Sequence, residues 1–166
     1  NKFALRLSVL QEELKKGIGF TLISGLPVEE LNPEVYSAVF CGLGSYLGKA
    51  RSQNAAGHLL GHVRDTGASA KDPSVRIYQT SARQTFHTDR SDAVGLLCIK
   101  EAKEGGDSLL ASSVTAFNEV MLKSPYLAKQ LMLPVAYDRR GEIPTGQKPY
   151  MTIPVVNWYR GKLTCI

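Results

Sequence analysis

Gln84-Thr85-Phe86-His87-Thr88-Asp89 places a histidine and a carboxylate two residues apart in a run that reads as β-strand. Side chains on a strand alternate faces with period two, so His87 and Asp89 are expected to point one way and Thr88 the other. One imidazole nitrogen and one carboxylate oxygen on the same side make two corners of a facial metal site. That is the ligand chemistry of non-haem Fe(II), which keeps positions open for oxygen and a co-substrate. The third corner should be a second histidine, and none follows His87 in the chain. Taken alone the pair is a weak signal, and a partly buried histidine hydrogen-bonded to a nearby carboxylate is the commoner reading.

The segments around this stretch set the expected architecture. Val75 to Thr80 and the apolar run Ala93 to Lys100 (AVGLLCIK) read as strands, the second one buried. Glu104-Gly105-Gly106-Asp107 is a turn, from which Ser108 to Ala111 leaves as another strand. Further upstream, Leu7, Leu10 and Leu14 share a helical face, and Gly17 is placed to end that helix. Ile18 to Ser24 is β-branched and aromatic and predicts a buried strand closed by Gly25 and Pro27. Asn32-Pro33 is an N-cap followed by proline at the first helical position, and Tyr36, Phe40, Leu43 and Leu47 keep helical spacing up to Gly48. A polar loop with a small turn is expected over 51–74. Ser113 can cap a helix through Lys123, a short helix is expected from Pro125 to Leu133, and Met151 to Ile166 reads as two strands turning at Arg160-Gly161. The sum is an α+β chain with a jelly-roll or barrel-like, mainly antiparallel sheet, the Asn32 to Leu47 helix packed outside it.

Composition narrows the function classes. The 166 residues fit one domain with a sizeable core, and 43% hydrophobic with 21% charged residues is ordinary for a folded chain. The net charge of +5 is scattered, with pairs such as Lys15-Lys16 and Arg139-Arg140 rather than a stripe, which argues against nucleic acid as a partner. No apolar run is long enough to span a bilayer. Cys41, Cys98 and Cys165 are odd in number and far apart; they are expected to be reduced, mostly buried thiols of a cytoplasmic type of protein. Cys98, in the most apolar run, reads as an inert thiol. The chain stops at Ile166 inside an apolar β-like run, so a fragment of a longer protein is expected.

At Phe86-His87-Thr88-Asp89, followed some twenty residues later by Gly105-Gly106-Asp107-Ser108, the chain resembles the taurine dioxygenase-like branch of the Fe(II)/2-oxoglutarate-dependent oxygenases. Members carry an H-T-D motif and then G-G-D-T or a close variant. The segment Ile18 to Pro27 is similar to the family's N-terminal strand and turn. The resemblance covers nearly the whole chain, at the level of the family's N-terminal half or slightly more. It implies a double-stranded β-helix, incomplete at the C-terminus, and oxidation of a small organic substrate coupled to decarboxylation of 2-oxoglutarate to succinate. It implies His87 and Asp89 as iron ligands and Ser108 in place of the threonine whose hydroxyl binds a carboxylate of 2-oxoglutarate; a serine hydroxyl makes the same hydrogen bond. The family's distal iron histidine and its 2-oxoglutarate arginine have no counterpart after His87, so these 166 residues by themselves are not expected to turn over the co-substrate. A non-catalytic jelly-roll binding module is the rival reading.

The remaining candidates have plainer explanations. His58 and His62 have the spacing of a helical zinc pair, but Gly57 and Gly61 disfavour the helix, leaving loop histidines, with His62 at a pocket mouth. Arg83 and Gln84, next to the metal pair, are candidates for substrate contact or for a solvated strand end. Tyr78, Trp158 and Tyr159 read as core or sheet-face aromatics.

Overall fold

The computed structural model describes residues 2–54, 56–72, 75–139 and 143–166. Asn1, Ser74 at the end of the expected loop, and Arg140 of the second basic pair lie outside them. The chain divides into two compact units, Asn1–Ser52 with Ala93–Gly106, and Gln53–Asp92 with Asp107–Ile166.

The first unit is helical. Helix α1, Lys2–Lys16, buries Leu7 and stops at Gly17, whose N–H reaches the Glu13 carbonyl at 2.9 Å. On its exposed side Glu12 and Lys16 pair at 2.5 Å, and the ammonium holds the carboxyl below its ordinary range. Helix α2, Pro33–Leu47, begins as its sequence dictates: the Asn32 side chain accepts from the Val35 N–H at 2.9 Å, and Pro33 follows at the first position. It ends with the Gly48 N–H on the Gly44 carbonyl. The two helices touch, and the Gln11 amide donates to the Tyr46 carbonyl. Phe40 of α2 lies against Gly95; a Cβ there would sit 3.2 Å from the ring, so the missing side chain is what lets the phenyl approach.

The second unit holds a small core of Phe117, Ala128 and Val156, flanked by Val120, Leu131, Leu163 and Cys165. Helices α3 (Ser113–Lys123) and α4 (Pro125–Leu131) pack together, and α3 also touches strand β4. Strands β1 (Pro134–Asp138) and β2 (Tyr150–Pro154) form one antiparallel ribbon; β3 (Val156–Tyr159) and β4 (Lys162–Cys165) form another. The second ribbon turns at Arg160 and Gly161, both with positive φ (50° and 77°), the backbone of a two-residue hairpin whose twist matches its strands.

Several expectations need correction. Ile18 to Ser24, Thr85 to Asp89, Ala93 to Lys100 and Ser108 to Ala111 form no strand, and Val75 to Thr80 holds a 3-10 turn, Ile77–Gln79. Each run has strand-like composition, but a strand exists only through a ladder with a partner backbone, and none of them forms one among the described residues; Val75 to Thr80 has only the Arg64 and Thr66 N–H groups on its Tyr78 and Gln79 carbonyls. Their side chains are accordingly open: Leu22 is 91% and Leu96 73% exposed, and Cys98 is exposed rather than buried; Cys41, on α2, is exposed as well. Strand β1 is an addition to the expected elements. Within its unit α2 packs on α1 and not on a sheet. The cap of α3 is Ser112 instead of Ser113, its side chain accepting from the Thr115 N–H at 3.1 Å.

One contact ties the 85–90 stretch to a ribbon. The Arg90 guanidinium lies 6.0 Å from the centre of the Tyr137 ring and its Nη1 is 3.9 Å from Met151 Sδ. Tyr137 and Met151 face each other across β1 and β2, so Arg90 grips a single cross-strand pair. The contacts are weak one by one, but they anchor the residue next to Asp89.

Two outcomes test this account. Ser112→Ala should lower unfolding free energy by about 1 kcal/mol, while Ser113→Ala stays within about 0.5 kcal/mol, measured by urea denaturation. Arg90→Ala should speed amide exchange over residues 85–90 by about two- to fivefold, the loss of an exposed cation–π contact, and leave the β1–β2 ribbon unchanged.

Candidate metal centre

His87 is exposed, and hydrogen bonds rather than a sheet fix its imidazole. Nδ1 lies 2.9 Å from the Thr85 carbonyl oxygen. A carbonyl only accepts, so Nδ1 carries the proton and Nε2 is left with its lone pair. Nε2 in turn lies 3.0 Å from the Gln84 side-chain nitrogen, whose N–H donates to it. This is the tautomer a metal ligand needs: the outer nitrogen is unprotonated, and the inner one is held by a backbone acceptor.

Asp89 is exposed, and its carboxylate makes no hydrogen bond or ion pair with another described residue. Its oxygens are open to a ligand, while its neighbour Arg90 is committed to Tyr137 and Met151. Ser108 is exposed in the segment between Gly106 and the Ser112 cap; its hydroxyl bonds to no other described residue. The turn before it needs glycine. Gly105 and Gly106 have φ of 68° and 82°, and a Cβ at Gly106 would come 3.0 Å from that of Ala102.

The structure thus brings His87 together with Gln84 and the Thr85 carbonyl; no hydrogen bond joins it to Asp89 or Ser108. Among the described residues no three His, Cys, Asp or Glu side chains gather to hold a metal. One imidazole lone pair and one open carboxylate two residues away fit two positions of an Fe(II) site by their chemistry; a third protein donor is not supplied by the described residues. Arg83 has no described partner that would assign it a role. His58 and His62 are on no helix, and both line a surface cavity with Tyr78.

Sequence reasoning missed the two features that position His87. The Thr85 contact has a local signal, a histidine two residues after a carbonyl in a stretch without a ladder, which is visible only once the strand reading is dropped. The Arg90 anchor depends on β1, whose pairing with β2 spans a separation that local pattern does not register.

Comparison with known proteins bears on the whole chain. The profile described as "Taurine catabolism dioxygenase TauD, TfdA family" matches residues 3–164. FR-33289 synthase of Streptomyces rubellomurinus is 32% identical over 155 residues, covering 93% of this chain and 46% of that protein. A taurine hydroxylase-like protein of Stachybotrys chartarum is 30% identical over 171 residues, covering 99% of this chain and 43% of its own length. A uridine-5'-phosphate dioxygenase of Amycolatopsis is 36% identical over 74 residues, 40% of this chain. The chain therefore spans less than half the length of the curated relatives it matches almost end to end. With a profile match over nearly every residue, the chain belongs to the taurine catabolism dioxygenase TauD, TfdA family.

Proposed function

We propose that the chain forms part of an Fe(II)- and 2-oxoglutarate-dependent dioxygenase that oxidises a small organic molecule, built in full on a double-stranded β-helix. The observation that carries the proposal is the tautomer of His87: its Nδ1–H is committed to the Thr85 carbonyl, and the Nε2 lone pair, which accepts from the Gln84 amide, lies two residues before a carboxylate with no partner among the described residues. The relatives' names support an oxygenase reading, since one is called a dioxygenase and another hydroxylase-like.

In this reading His87 gives its lone pair without first losing a proton, because the proton sits on the other ring nitrogen. For Nε2 to hold the metal the Gln84 amide would have to give up its contact, while the Thr85 carbonyl would keep its hold on Nδ1. Asp89 would contribute an anionic oxygen to the same ion, and a third protein donor would be needed beside His87 and Asp89. The Ser108 hydroxyl donates to a carboxylate oxygen of 2-oxoglutarate. Iron and 2-oxoglutarate, when bound, supply the oxidising power. The protein's own part is donor geometry and positioning.

A second reading, a jelly-roll binding module without turnover, is favoured by one observation, the lack of a three-donor group among the described residues. Iron binding separates the two readings.

In a chain extended to the length of its relatives, His87→Ala should abolish iron-dependent succinate release, a loss of at least about a hundredfold, since a first ligand matters more than its supports. Ser108→Ala should instead raise the KM for 2-oxoglutarate by roughly two- to a hundredfold with little change in kcat, the range expected for one hydrogen bond of about 0.5–3 kcal/mol. Succinate release that survives His87→Ala would overturn the ligand assignment. An extended protein that binds no iron would leave the binding-module reading.

A further inference from the structure

Among the described residues, the group bonded to His87 Nε2 is the side-chain amide of Gln84, 3.0 Å away. Gln84 is exposed and makes no other hydrogen bond to a described residue. The opposite ring nitrogen, Nδ1, lies 2.9 Å from the Thr85 carbonyl oxygen. The imidazole is thus gripped at both nitrogens by its own loop, with a donor on one side and an acceptor on the other.

The two grips differ in what they allow. The Thr85 contact is compatible with ligation, because it leaves Nε2 untouched. The Gln84 contact is not. Nε2 has a single in-plane lone pair, which cannot serve an amide proton and a metal at once. The amide therefore stabilises only the ring that holds no metal. An interaction made in one of two states alone shifts the equilibrium toward that state, and it lowers the apparent affinity of whatever needs the other. The same amide acts on the tautomer. A donor at Nε2 requires the ring proton on Nδ1, which is the form a metal can take up without first displacing a proton. That bias offsets the competition only in part, since every ring bonded to Gln84 is also a ring withheld.

We propose that Gln84 is a positioning residue that caps His87: in the metal-free chain it fixes the proton on Nδ1 and occupies Nε2, so that it lowers the affinity of the site for its metal and spares a proton transfer on loading. The proposal rests on the iron reading of His87 and adds to it a residue that acts only through the imidazole.

The test has two parts. In the metal-free 166-residue chain carrying ¹⁵N-histidine, long-range nitrogen–proton correlation at alkaline pH, where the ring is neutral, shows which nitrogen bears the proton. The wild-type ring is expected in the Nδ1–H form. Gln84→Met keeps the length of the side chain and removes the donor, so the ratio of Nδ1–H to Nε2–H rings should fall about two- to tenfold, the worth of one neutral hydrogen bond. Gln84→Ala, which removes the donor without adding an apolar side chain, should do the same. Thr88→Ala, beside His87 but bonded to neither ring nitrogen, should leave the ratio unchanged. In the chain extended to the length of its relatives, Fe(II) affinity measured by anaerobic equilibrium dialysis should rise about two- to tenfold in both Gln84 variants. A tautomer ratio that neither variant moves, or an Fe(II) affinity that stays level or falls, would overturn the proposal and leave the iron reading in place. A wild-type ring protonated on Nε2 would also overturn it. Fe(II) bound by none of the extended proteins would instead overturn the iron reading, and the capping role with it.

Discussion

Backbone that joins no sheet has to be positioned by something else, and the stretch bearing His87 and Asp89 is such a backbone. Its polar groups have no ladder to align them, so local hydrogen bonds and one side-chain anchor do the aligning. The imidazole leans on a carbonyl two residues back, the Gln84 amide reaches its far nitrogen, and Arg90 fastens the end of the segment to a cross-strand pair. None of these contacts is strong. Together they restrict a short loop to a geometry in which the outer nitrogen of one histidine is free of its proton.

How much of this could be read from the residues depends on the reach of the interaction. Asn32-Pro33, Gly17 and Arg160-Gly161 act on their immediate neighbours, and those helix ends and that hairpin turn stand where the sequence places them. Ser112 took the cap expected of Ser113, because either hydroxyl suits the position and the choice is made by backbone geometry one residue away. Strands are different. Ile18 to Ser24 and Ala93 to Lys100 have the β-branched, apolar character of buried strands and yet pair with no strand among the described residues, since composition cannot supply a partner. Strand β1 was invisible for the converse reason: Pro134 to Asp138 is unremarkable in composition and is a strand because β2 returns beside it.

The candidate site divides the same way. The H-x-D spacing and the Gly105-Gly106 turn are local and carried the family resemblance, which the match over residues 3–164 bears out. The reason first given for His87 and Asp89 facing together, alternation along a strand, does not apply to an unpaired segment. The tautomer of His87 speaks to that ring's capacity to hold a metal and not to the direction of Asp89. The cavity lined by His58 and His62 was legible only as two loop histidines, because its other wall comes from Tyr78 and Gln79, beyond the window in which spacing carries information.

The division of the chain has a consequence for biosynthesis. Residues 1–52 are one part of the helical unit and residues 93–106 are the other. On the ribosome, where chains grow at roughly 5–20 residues per second, α2 leaves the exit tunnel seconds before its neighbour Gly95. Until then the half-buried face of Phe40 has no Gly95 to lie against. The nascent helix pair therefore carries an uncovered aromatic for the time it takes to make the intervening forty or so residues. Transiently uncovered apolar surface of this kind is what exposes a growing chain to misassembly.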